Sequence, residues 1–194
     1  MLTIFYNLIE GVISTYFGME DETLALFGFG IDSFVEVISG IGIAHMIYRM
    51  RQYPDVQNDR FEKQALRITG FSFYLLAAGI TASSILTIWA GTEPETTSVG
   101  IIISLLSIVT MYALVHFKLK AGHILQSQPI ISDANCTKTC LYLSVLLLIS
   151  SGLYEIFRIP YVDALGALGI AWFAFKEGKE AFDKAKGKSC CSKC

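Results

Sequence analysis

Residues 24–48 read LALFGFGIDSFVEVISGIGIAHMIY, a run of apolar and small side chains interrupted in its middle by Asp32 and Glu36. As a helix rising about 1.5 Å per residue, this stretch is long enough to cross the roughly 30 Å hydrocarbon core of a bilayer. Working outward, five further segments come near the same length and apolarity: 2–17, 66–90, 98–117, 134–157 and 161–175, the first and last being short. The connections between them carry the turn formers and the charges (MEDET, RMRQYPDVQNDRFEKQ, GTEPETTS, KLKAGHILQSQPIISD and RIP), and none is long enough to be a separate domain. The whole chain agrees. Of its 194 residues 53% are hydrophobic and 16% charged, with a mean hydropathy of +0.53, too apolar for a water-facing domain of this size. The expected fold is therefore an all-α integral membrane protein, a bundle of six transmembrane helices.

A net charge of −2 gives no basic surface for nucleic acid, so the distribution of charge carries the information. Lys and Arg collect in the second connection (Arg49, Arg51, Arg60, Lys63, Arg67), around the fourth (Lys118, Lys120, Lys138) and in the tail from Lys176 onward. The first and third connections are acidic, and Arg158 alone among the 15 basic residues falls on their side. Because basic residues stay on the cytoplasmic side, both termini are expected there. The amino-terminal apolar stretch has no Lys or Arg before it, carries Glu10 and lacks a small-residue cleavage site, so it is expected to be a retained helix.

An ionisable group at mid-membrane costs about 2.5–3.5 kcal/mol on insertion scales, which makes every such residue a candidate for function. Asp32 and Glu36 stand four apart and project from one face of their helix. In the fifth helix Cys136 and Cys140 stand at the same spacing. Two helices each offering an i, i+4 pair can surround one ion with four ligands, the number that tetrahedral zinc and related soft-metal sites use. Helix packing through hydrogen bonds is the other reading of the acids, and burial as small apolar residues that of the thiols. The neighbouring Gly28, Gly30, Gly40 and Gly42 are read as close-packing positions. Cys190, Cys191 and Cys194, in the lysine-rich end CCSKC, form a candidate accessory metal site; lysine neighbours favour the thiolate form. Glu10, inside the first helix, and Asp133, at the mouth of the fifth, are candidates for a proton or access path. Capping of the fifth helix also explains Asp133, and the same role is expected of Asp163 at the sixth. His45, His116 and His123 are expected at the surface near the cytoplasmic ends.

These residues resemble the transmembrane domain of the cation diffusion facilitator family of zinc and heavy-metal transporters, and the resemblance runs over nearly the whole chain. Two stretches carry it. LALFGFGIDSFVEVISG matches the family's second helix at Asp32, Ser33 and Glu36, and SQPIISDANCTKTC keeps the frame of its fifth helix at Asp133 and Ala134. Weaker echoes are NLIEG at residues 7–11 and VDALGALGIAWFAFKEG at 162–178, with Asp163 near its start. The resemblance implies a six-helix bundle, alternating access, exchange of metal against protons and a homodimer. The chain departs from the family in having Cys136 and Cys140 where His and Asp are usual, Glu36 for the commoner Asp, and no His-Gly-rich segment between the second and third helices. No folded cytoplasmic domain is expected after the sixth helix. The expected organisation is a six-helix cation efflux domain over residues 1–178 and a Lys/Cys-rich tail over 179–194.

The function expected from these features is not enzymatic. It is export from the cytoplasm of a divalent or soft metal ion, zinc- or cadmium-like, by proton antiport. The metal is the transported substrate, the partners are the ion, the bilayer and a second copy, and the location is the cytoplasmic membrane of a prokaryote. Two other classes stay open at this point: a non-transporting metal sensor or metallochaperone-docking protein using CCSKC, and a membrane thiol oxidoreductase using Cys136 and Cys140. The oxidoreductase fits less well, since such enzymes favour CxxC spacing.

Overall fold

A computed structural model describes residues 2–20, 23–52, 59–91, 98–124, 128–158 and 161–186. They form α1 (Leu2–Glu20), α2 (Leu24–Gln52), α3 (Asp59–Ala90), α4 (Ser98–Ile124), α5 (Gln128–Phe157) and α6 (Val162–Ala185), with no strand among the described residues. The protein is an all-helical, integral membrane bundle. Several helices run past the apolar segments that mark them in the sequence. α3 begins seven residues before 66, α4 carries on through the lysines of the fourth connection to Ile124, and α5 begins at Gln128 with Pro129 in its first turn. Proline there gives up an amide that has no helical partner anyway. Asp133 consequently lies inside α5 and is not its N-cap, contrary to expectation.

Among the described residues four spans meet the length and hydropathy of a membrane crossing: Leu24–Gly42, Leu66–Ala90, Ser98–Ile124 and Thr137–Phe157. α1 and α6 are not among them, yet each follows a neighbour through the bundle. On α1, Ile4 packs at Gly40, Asn7 meets Glu36, Gly11 meets Phe34 and Gly18 meets Phe27, so α1 lies antiparallel along α2 over its length. A Cβ on Gly30 would come within 2.6 Å of the Thr15 backbone nitrogen, so this approach requires glycine. The opposite face of α1 leaves Phe5, Ile9, Val12 and Tyr16 exposed, as suits a lipid contact. α6 packs on α3 where Gly70 and Gly178 abut and Tyr74 stacks on Phe182 with ring centroids 5.4 Å apart.

The main apolar core joins the first half of α2 (Leu26, Phe29, Val35) to Phe73, Leu76 and Ile80 of α3, Leu143 and Leu147 of α5 and Ile170 of α6. At that end Asp163 departs from the expected role. Its carboxylate does not cap α6 but accepts hydrogen bonds from the Leu24 amide at 2.7 Å and the Ala25 amide at 3.3 Å, satisfying two orphan donors at the start of α2. A smaller cluster of Met111, Leu114 and Cys140, flanked by Tyr6 and Leu141, ties α4 and α5 to α1.

Candidate metal site

α2 is unbroken through Asp32, Ser33 and Glu36, so the helical period turns Glu36 to α1 and α5 one turn beyond Asp32. Both Glu36 oxygens are engaged. Asn7 Nδ2 donates to Oε2 at 2.6 Å, and the Cys140 thiol donates to Oε1. One carboxylate therefore joins three helices, and the expected pairing of an α2 acid with an α5 thiol is present. Asp32 is 3% exposed, and its Oδ1 has no hydrogen-bond partner among the described residues. A buried carboxylate oxygen left so is costly unless a proton or a cation completes it.

Around this centre the polar groups come from five helices. Glu10 of α1 is buried; its Oε2 lies 3.2 Å from the Ser33 hydroxyl, which also stands 3.1 Å from the Phe29 carbonyl, and its single proton serves one acceptor at a time. Tyr6 and Ser107 also hydrogen-bond Glu10. Ser107 of α4 meets Ser144 of α5 at 2.8 Å, and Ser144 donates to the Cys140 carbonyl at 2.8 Å. Asp32 lies in the field of Glu10 and Glu177; Glu36 lies in those of Asp32, Glu10, Glu177 and Lys118. Glu177 of α6 accepts from the Thr139 hydroxyl at 2.9 Å, and Lys118 of α4 donates to Thr137 Oγ1 at 2.8 Å.

Of the four ligands expected from the sequence, Glu36 and Cys140 are in contact and Asp32 stands one turn away on the same helix. Cys136 is on α5 one turn before Cys140, with its side chain outside the described residues, as is that of Asp133; Cys190, Cys191 and Cys194 lie wholly outside them. Among the described residues no group of three or more His, Cys, Asp or Glu side chains is close enough to hold one ion. His45, His116 and His123 are exposed, as expected.

Three members of the site are not singled out by the sequence. Asn7 and Glu177 lie within the weaker family echoes NLIEG and VDALGALGIAWFAFKEG, and Lys118 looks like a loop cation marking the cytoplasmic side. The spacing of three between Asn7 and Glu10 puts both on one face of α1.

The sequence pattern of the cation efflux transmembrane domain matches residues 1–185. The chain belongs to this family. Among curated proteins it is similar to an uncharacterized transporter of Methanocaldococcus jannaschii, with 28% identity over 188 residues. That alignment covers 94% of this chain and 65% of the relative, so the chain spans a little under two thirds of that protein's length. Members of the cation efflux family transport metal cations.

Proposed function

We propose that the cation efflux domain formed by residues 1–178 exports a divalent or soft heavy-metal ion, zinc- or cadmium-like, from the cytoplasm in exchange for protons. Asp32, Glu36, Cys136 and Cys140 are its ligands. The observation that carries this reading is the contact of Glu36 with Cys140 across α2 and α5, beside the unsatisfied buried oxygen of Asp32. Carboxylate and thiolate together favour a borderline or soft ion, and each must lose its proton to coordinate, so ion binding and proton release are linked.

The apolar core over the first half of α2 favours an inward-facing state: the path from the site toward Asp163 is filled by Phe29, Leu147 and Ile170, whereas the other side of Glu36 is lined by Lys118, Thr137, Thr139 and Glu177. Rocking of the bundle then opens the opposite side, where protons displace the ion. Both termini are cytoplasmic in this arrangement, the membrane is the cytoplasmic membrane of a prokaryote, and two copies associate. Glu10, which accepts a hydrogen bond from Ser33 beside Asp32, passes protons to the site, and Asp133 receives ions at its mouth. The Lys/Cys-rich tail of 179–194, whose first turns prolong α6 to Ala185, offers three thiols for ion capture.

The test is uptake of Zn²⁺ and Cd²⁺ into sealed vesicles holding the purified chain, with a pH-sensitive dye inside. Ion uptake with proton movement the other way, slowed when the pH gradient is collapsed, is the expected result. Ion flux indifferent to the gradient would replace antiport by facilitated diffusion, and ion binding without uptake would make the protein a sensor.

A further inference from the structure

Lys118 is an ammonium inside a cation site's own wall. Its sequence position marks it as a membrane-edge charge, yet α4 continues past it to Ile124 and its Nζ is held 2.8 Å from Oγ1 of Thr137, a residue only 3% exposed. Thr137 stands three residues before Cys140 on α5, on the neighbouring turn of the same face. Cys140 in turn touches Glu36, and the Lys118 charge reaches that carboxylate. The charges that act at Glu36 are those of Glu10 from α1, Asp32 from α2, Glu177 from α6 and Lys118 from α4, and among these described groups Lys118 is the cation.

We infer that Lys118 is a tethered cation that opposes occupancy of the site in proportion to the charge of the ion, and so sets both ion release and discrimination by charge. The inference rests on the site proposed above. With the site empty, Lys118 offsets the carboxylates. An arriving ion brings its charge, less that of the protons it displaces, to the Glu36 carboxylate that the field of the ammonium reaches, and the repulsion is linear in that net charge. For two ions of the same softness that displace the same number of protons, the divalent one is therefore opposed by one unit of charge more than the monovalent one. Thr137 fixes the distance, and Lys118 acts through the field at Glu36 without ligating anything.

The experiment compares Lys118→Met and Lys118→Arg with the unaltered chain, reading Cd²⁺ and Ag⁺ affinity by titration at one fixed pH and Cd²⁺ uptake in vesicles. Lys118→Met is expected to raise Cd²⁺ affinity about threefold more than Ag⁺ affinity, the effect of one unit of charge about one helical turn away in a hydrated vestibule. Its maximal uptake rate falls as KM falls, because release slows. Lys118→Arg keeps the unaltered values. Equal gains for the two ions, or a Lys118→Arg variant that behaves as Lys118→Met, would overturn the inference. Should Lys118→Met fail to fold, Thr137→Val, which loosens the tether and keeps the charge, is expected to give a smaller gain with the same Cd²⁺-over-Ag⁺ bias, and no bias would overturn it equally. Glu36→Gln separates the two levels. If it weakens Cd²⁺ binding while Lys118→Met leaves both affinities unchanged, the tethered cation alone is wrong; if Glu36→Gln has no effect, the site itself is wrong and the inference falls with it.

Discussion

The two ends of α2 are built for opposite purposes. From Leu24 to Phe29 its inward face is packed with Phe73, Leu76, Ile80, Leu147 and Ile170 into an apolar core, and its first amides are closed by Asp163. From Asp32 to Glu36 the same helix turns polar: Glu36 meets Asn7 and Cys140, and nearby α4 and α5 are joined by the Ser107–Ser144 pair and the Lys118–Thr137 contact. Apolar packing fixes where the helices stand; the polar half, with an acid that has an unsatisfied oxygen, is left able to exchange ligands. On the proposed site, stability and ion handling fall in different stretches of one helix, which is why variants in each half should separate them.

The largest effect is expected in the polar half. Asp32→Ala or Glu36→Ala removes an ion ligand without opening the apolar core, so vesicle uptake should fall by about a hundredfold or more, beyond the 10–100-fold typical of groups that only support ligands. Folded protein should remain in the membrane at the unaltered yield. Uptake near the unaltered rate in either variant breaks the comparison, because the polar half would then not be the ion site. The next effect belongs to the core. Leu147 is wholly buried, and Leu147→Ala should lower unfolding stability in detergent by about 2–5 kcal/mol. It should leave the order of ion preference intact; a changed order would mean that the two halves are not separable.

A smaller change sharpens the chemistry of the polar half. Cys136→His with Cys140→Asp keeps the i, i+4 spacing while replacing soft thiolates by harder donors. Zinc should still be carried, with the cadmium-to-zinc rate ratio lowered by roughly an order of magnitude. Removal of Cys190, Cys191 and Cys194 should change apparent affinity at low metal without altering that ratio. An unaltered ratio in the double variant would turn the thiols away from the ion and leave Asp32 and Glu36 to be completed by another group such as Glu10.

Hydropathy alone determined the membrane setting, the six helices and their order, because apolar length is a local property of the chain. Helical period alone put Asp32 with Glu36 and Cys136 with Cys140 on common faces. The matching frames around IDSFVE and SDANC were sufficient for the family, since they depend on spacing within one helix. What the sequence could not decide is which face of each helix meets which neighbour. Asn7 reaches Glu36 because small residues such as Gly11, Gly18 and Gly30 let α1 lie close along α2, and Lys118 turns inward because α4 extends beyond its apolar segment beside Thr137. Asp163 closes α2 and not its own helix because the end of the bundle brings α6 under Leu24. Those partners are set by long-range packing, and the charge of a side chain, read in sequence, does not reveal what will stand beside it.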